Sequence, residues 1–173
     1  MTRHLTRTIV VGVAPGLALL AGCGSGLDYD ALESNVGNTL KESYAGMPVE
    51  VAGVDCQRID DPMPHDTFTC LADIGAPDKV RVEVTVTAIN DYKVDYETVD
   101  VVFDLADTVD VLQREISDFA ETRITVDCGE GIIVVAVGDT FVCRATEPVE
   151  DESADIVVTA KNAQGDVSWE VVE

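Results

Sequence analysis

The residues with the clearest chemistry are four cysteines that form two closely spaced pairs. Cys56 and Cys70 make the first pair, and Cys128 and Cys143 make the second. Neither pair has the C-x₂₋₄-C spacing typical of zinc sites, and His65 is the only histidine after residue 23. Thiols oxidise in exported proteins, so the sequence predicts two disulfides. Each would close a loop of about fifteen residues and contribute on the order of 3 kcal/mol in the chain-entropy model.

A fifth cysteine, Cys23, has a different setting. It follows Leu20-Ala21-Gly22 at the end of an apolar run that begins at Ile9 and is preceded by two arginines. This arrangement is typical of a secretory signal, and the run is too short to span a bilayer. Leu-Ala-Gly-Cys resembles a bacterial lipobox, in which the cysteine is acylated and becomes the mature N-terminus. We predict a signal peptide at 1–22, then a lipidated Cys23 and tether at 23–26. The alternatives are an uncleaved anchor and a structural cysteine.

Catalytic chemistry has little support in the sequence. A nucleophile needs a base beside it, and His65 lies in a predicted loop between Pro64 and Asp66. No G-x-S-x-G, H-E-x-x-H or phosphate-binding loop is present. We therefore assign no catalytic residue and predict a protein that is not an enzyme. Carboxylates are numerous, so a hydrolase that uses a pair of them stays open as an alternative.

The chain is strongly acidic, with a formal net charge of −22 at pH 7. Binding phosphates needs a basic surface, so nucleic acid is not expected as a partner. Acidic residues cluster at 147–155 and at Asp60-Asp61, and calcium is the cation that such clusters could bind. Neither segment has the alternating aspartates and central glycine of an EF-hand. We predict solvated acidic loops, with no metal ligand and no cofactor, and keep a calcium-binding surface protein as an alternative.

One pattern of residues occurs twice. Asp66-Thr67-Phe68-Thr69-Cys70 returns as Asp139-Thr140-Phe141-Val142-Cys143, and a Val-Asp-Cys sequence precedes each copy. In both copies the first cysteine of the pair ends Val-Asp-Cys, and the second ends the longer segment. The duplication predicts two tandem modules, 27–99 and 100–173.

Each module is predicted to have an α+β fold, with one helix packed on a small antiparallel sheet of about four strands. A helix and a sheet each bury one apolar face, so they cover each other. The first helix is expected to start at a capping box of Asp30 and Glu33, and the second at Asp104 or Asp107. The first module's strands are expected at 49–56, 67–72, 80–87 and 92–97. The second module's strands are expected at 124–128, around Phe141 and Cys143, at 156–160 and at 167–171.

Tyr96 and Trp169 occupy equivalent positions on the last strand of each module. An aromatic side chain at this place either packs against the helix or contributes to a binding surface. Core packing is the simpler expectation. An aromatic binding patch at Tyr96 and Trp169 is the alternative.

The order of these motifs resembles a known family. The order is a helix, Val-x-Cys, Asp-Thr-Phe-x-Cys, a valine-rich strand, a turn and Val-x-Tyr or Val-x-Trp. This order resembles the actinobacterial envelope domain of unknown function called family 4333. The resemblance covers both modules. The family usually has proline after the first cysteine, whereas Gln57 and Gly129 stand there in this chain. The family name implies no activity. Because the family is actinobacterial and often occurs in lipoproteins, the resemblance implies an actinobacterial source and a location on the outer face of the cytoplasmic membrane.

Together these features predict a lipid-anchored envelope protein on the extracytoplasmic face of the cell membrane. Its lipid on Cys23 would hold it to the membrane, and its two modules would bind an envelope protein or a wall component.

Overall fold

The structure, a computed structural model, describes residues 3–4, 16–18, 26–88 and 93–172. The chain divides into two compact units. The first unit lies within Val11–Asp100, and the second unit contains Val101–Glu173 together with Met1–Val10. Cys23 and most of the predicted signal peptide lie outside the described residues. The described part of the chain has no helix with the length and apolarity needed to cross a membrane.

The first unit contains one helix and a five-stranded antiparallel sheet. Its strand order is β2-β6-β5-β4-β3, so β3 forms one edge and β2 the other. The elements are β2 (Gly16–Ala18), α1 (Tyr29–Ser43), β3 (Gly53–Cys56), β4 (Thr67–Asp73), β5 (Val80–Ala88) and β6 (Lys93–Thr98).

The second unit repeats this plan and adds a small sheet. Its main sheet has the order β1-β12-β11-β10-β8, and β7 and β9 form a separate two-stranded sheet. The elements are β1 (Arg3–His4), β7 (Asp100–Asp104), α2 (Leu105–Ala120), β8 (Thr125–Asp127), β9 (Ile132–Ala136), β10 (Thr140–Glu147), β11 (Glu152–Ala160) and β12 (Val167–Val172). The predicted α+β fold class is confirmed.

Both helices begin at an aspartate whose side chain accepts a backbone N–H from the first turn. Asp28 accepts from Ala31 at 3.0 Å, and Asp104 accepts from Ala106 at 2.9 Å. Each cap satisfies one of the backbone donors that a helix start leaves open. Asp104 was one of the two predicted caps. The prediction of Asp30 as the first cap was wrong, because Asp30 already lies in the first turn, where its charge suits the helix dipole.

The core of each unit lies between its helix and one face of its sheet. In the first unit the predicted alternation is confirmed on β5, because its four valines are all buried and the residues between them are not. In the second unit Leu112 and Ile116 of α2 belong to the same buried cluster as Ile156, Val158 and Trp169. These positions predict that truncation of any of them would leave a cavity.

Several predicted strand boundaries were wrong, each for a local reason. Residues 49–52 are not a strand, since the N–H of Val49 is donated to the Met47 carbonyl in a tight turn around Pro48. Residues 100–104 form β7, which pairs with β9, and neither strand was predicted. The acidic segment 147–155 is mostly hairpin: Glu147 ends β10, Glu152 begins β11, and residues 148–151 form the turn.

Candidate functional site

The two units place their repeated segments in the same strand register. In each unit the phenylalanine of Asp-Thr-Phe pairs with a valine of the next strand, and that valine pairs with the aromatic residue of the last strand. The pairs are Phe68 with Val84 and Val84 with Tyr96 in the first unit, and Phe141 with Val158 and Val158 with Trp169 in the second. The predicted equivalence of Tyr96 and Trp169 therefore holds at the level of individual strand pairs.

A disulfide stands at the same place in each unit. Cys56 is bonded to Cys70, and the two residues lie opposite each other on β3 and β4. Cys128, one residue beyond β8, is bonded to Cys143 on β10. Each bridge ties the edge strand, β3 or β8, to its neighbour, β4 or β10.

The turn before each repeated segment has the same hydrogen bonds. His65 donates its N–H to the Val86 carbonyl at 2.7 Å, and Gly138 donates to the Ala160 carbonyl at 2.8 Å. Both residues have positive φ, 76° for His65 and 93° for Gly138. The side chain of His65 is exposed. His65 therefore serves the turn through its backbone, in a conformation that glycine adopts more easily.

Tyr96 and Trp169 lie in the interior, with 6% and 3% of their surface exposed. The Tyr96 hydroxyl shares a 2.8 Å hydrogen bond with the Thr39 hydroxyl of α1. The Trp169 ring meets Phe119 of α2 edge-on, with ring centroids 5.7 Å apart. Both aromatic side chains thus pack against the helix, and in this arrangement they do not form an exposed binding patch.

In each unit a helix side chain reaches the free edge of the sheet. The Cys56 N–H is donated to Oε1 of Glu33 at 3.1 Å, and the Val126 N–H is donated to Oε1 of Gln113 at 3.4 Å. β3 and β8 are the edge strands to which these donors belong. Glu33, predicted to close a capping box, instead holds the edge strand to α1.

One buried carboxylate was not anticipated from the sequence; it belongs to Asp100, which is the last residue of the first unit and the first residue of β7. Asp100 is 4% exposed and accepts hydrogen bonds from the Arg81 backbone N–H at 2.8 Å and from Nε and Nη2 of the same residue. Burial, and secondly the negative charge of Asp100, raise the pKa of the Tyr44 phenol well above its usual value. Asp100 and Arg81 lie nineteen residues apart, so only the folding of β5 and β6 brings them together.

The acidic hairpin does not assemble a metal site in the structure. Its five acidic residues are spread over two strands and a turn, and Asp155 is paired with Arg144 at 3.0 Å. Among the described residues no group of three or more His, Cys, Asp or Glu side chains is positioned to hold a metal ion.

A mostly apolar cleft lies in the second unit. This second-unit groove runs between the C-terminal end of α2 and strands β10, β11 and β12, and it has a volume of ≈370 Å³. Ile116, Phe119 and Ala120 line it from the helix, and Ile156 and Val171 from the sheet. Its volume lies within the range of small-molecule and side-chain pockets. Comparison of the two sequence copies could have revealed it, because two buried apolar residues of the first copy are replaced in the second by a small and by a charged residue, as described below.

Comparison with protein families found one family that matches part of this chain. Residues 11–91 match the family described as "Domain of unknown function (DUF4333)". The match covers most of the first unit and supports the resemblance drawn from the motifs. A comparison with curated proteins and one with solved structures each found no match.

Proposed function

We propose that this protein is a lipid-anchored envelope protein whose two units are tandem DUF4333-type modules with a non-enzymatic binding role. The observation that carries the proposal is the common strand register of the two units, with a disulfide at the same place in each. Only residues 11–91 match the family. The second unit is assigned to it through the shared register and the shared Asp-Thr-Phe-x-Cys segment.

The anchor is supported by the sequence around Cys23. The apolar run and Leu20-Ala21-Gly22 favour cleavage before Cys23 and acylation of its thiol. Two or more acyl chains hold a protein stably at a membrane, since each buried methylene contributes about 0.8 kcal/mol. The glycine-rich tether would then keep the first unit near the outer face of the cytoplasmic membrane.

The binding role is supported by the duplication of the unit. Their shared residues are strand partners, cystines and turns, which maintain the fold. Two similar units on one chain can engage two sites of a partner protein or wall component, and tethered sites bind more tightly than separate ones.

The anchor is tested by the intact mass of the membrane-extracted protein before and after reduction and alkylation. We expect a chain that begins at Cys23, carries acyl mass and has four cysteines blocked until reduction. A Cys23→Ser variant, otherwise identical, should carry no acyl mass. A wild-type chain that still carries Met1 would contradict the anchor.

The binding role is tested by cross-linking on intact cells, followed by purification of the wild-type protein. We expect one or a few partners enriched above a Cys23→Ser control that carries no lipid. Enrichment no higher than with beads alone would contradict the binding role, whether or not the anchor is present.

A further inference from the structure

The second-unit groove exists because this unit lacks two large side chains that the first unit has. Tyr44 and Ala120 each lie sixteen residues after the N-cap aspartate of their helix, and Ile74 and Glu147 each lie four residues after the second cysteine. Tyr44 and Ile74 are buried, whereas Ala120 is exposed and Glu147 only half-buried. Loss of this apolar volume leaves Ile116, Ile156 and Val171 facing an open groove.

Two glutamates stand at the hairpin end of the groove. Glu147 and Glu152 both line it and lie directly opposite each other on β10 and β11. Like charges at this cross-strand position are destabilising unless a cation offsets them. The Glu147 carboxylate is also fixed in position, because it accepts the backbone N–H groups of Val149 and Glu150. Residues 145–160 include no lysine or arginine, and the one cation of the hairpin, Arg144, is paired with Asp155 rather than with these two glutamates.

We propose that this groove binds an apolar side chain carried on a cationic peptide segment of a partner protein. The apolar side chain would enter between α2 and the sheet, and a flanking lysine or arginine would pair with Glu147 and Glu152. The occupant is a peptide rather than a lipid because the charge at the groove selects a cation beside the apolar group. This proposal rests on the proposed binding role and gives it a site and a partner chemistry.

Trp169 provides a direct signal for occupancy. It is the only tryptophan of the chain, and its ring contacts Phe119, which lines the groove. Insertion of a side chain beside Phe119 should therefore change Trp169 emission. The full chain with Cys23→Ser, which carries no lipid, is titrated with four probes. These are a peptide alternating lysine and leucine, the same peptide with glutamate for lysine, one with serine for leucine, and the uncharged amphiphile octyl glucoside.

We expect saturable binding of the lysine–leucine peptide and weak binding of the other three probes. Ala120→Tyr, which installs the first unit's residue, should weaken binding by on the order of tenfold or more, because it denies burial to one large apolar side chain. Ala106→Tyr makes the same change at an exposed position at the start of α2 and should leave binding unchanged. Glu147→Gln with Glu152→Gln should weaken binding and reduce its salt dependence. Glu130→Gln with Glu170→Gln removes the same charge elsewhere and is the matched control.

The proposal is overturned if the lysine–leucine peptide gives no saturable signal, or if Ala120→Tyr binds it as the wild type does. Equal binding of the lysine–serine peptide would mean attraction to the acidic surface alone. Equal or tighter binding of octyl glucoside would also overturn the proposal, because the occupant would then be an uncharged amphiphile and not a cationic peptide. A urea transition reported by Trp169 shows that each variant is folded. If Ala120→Tyr still captures the partners found on cells, the groove proposal fails while the proposed binding role stands.

Discussion

The buried carboxylate of Asp100 should hold the first unit together, and its removal allows a quantitative test. Asp100→Ala deprives the Arg81 backbone N–H and guanidinium of their acceptor. Removing one partner of a buried ion pair costs about 3–5 kcal/mol. The Arg81 side chain is 48% exposed, so water can solvate it again and the lower end applies. We expect a loss of about 3 kcal/mol in the free energy of unfolding of the first unit.

For a unit of this size each kcal/mol lowers the Tm by about 4–8 °C, so the expected loss corresponds to roughly 12–24 °C. The two units can be followed separately because the tyrosines and the tryptophan are segregated. All four tyrosines are in the first unit, and Trp169 is in the second. Thermal and urea unfolding monitored by tyrosine emission should shift in Asp100→Ala, with Trp169 emission recorded in parallel.

Two variants make the Asp100 test specific. Asp95→Ala removes an exposed carboxylate on neighbouring β6 and should change stability by less than about 0.5 kcal/mol. Asp100→Asn keeps an acceptor oxygen but loses the charge, so its effect should be intermediate. A loss below about 1 kcal/mol for Asp100→Ala, or an equal loss for Asp95→Ala, would refute the role given to this carboxylate.

Three further predictions follow from the local geometry of the two units. Burial keeps the proton on Tyr44 in the folded state, whereas the unfolded state releases it above about pH 10. The free energy of unfolding should therefore fall as pH rises above about 10. Tyr44→Phe should remove this part of the pH dependence, as measured by urea titrations at a series of pH values. His65→Gly should stabilise the first unit by about 0.5 kcal/mol, as measured by tyrosine emission, and Gly138→Ala should destabilise the second unit by about 1 kcal/mol or more, as measured by tryptophan emission. Opposite signs would contradict the left-handed backbone conformation of these two turns. Replacing Cys56 and Cys70 by alanine should cost the first unit about 3 kcal/mol, and added reductant should then lower its stability no further.

The elements predicted correctly are those whose signal lies within a few residues of sequence. The valines of β5 alternate so regularly that one buried face follows directly, and Asp104 stands just before an amphipathic stripe. The acidic hairpin failed this local test. Glu147 and Glu152 carry charges that suggest a loop, but pairing of β10 with β11 overrides the composition.

Features of the candidate site depend on contacts between residues far apart along the chain. Asp100 looks like one more solvent-exposed acid until β5 and β6 bring it beside Arg81. Choosing between Asp28 and Asp30 as the helix cap likewise requires knowing where α1 meets the sheet, because both residue types suit the position. The groove arises from a difference between two copies, which local periodicity cannot detect.

The helix side chains that bind the edge strands also affect how copies of this protein behave beside one another. An unpaired edge presents donors and acceptors to which another chain can add a strand, which is the first step of sheet-to-sheet aggregation. Glu33 and Gln113 occupy one such donor on β3 and one on β8. An incoming strand would have to displace them, and in the first unit it would also approach a carboxylate that repels its carbonyl oxygens. We therefore expect the same two helices that cover the cores to hinder strand addition at these edges.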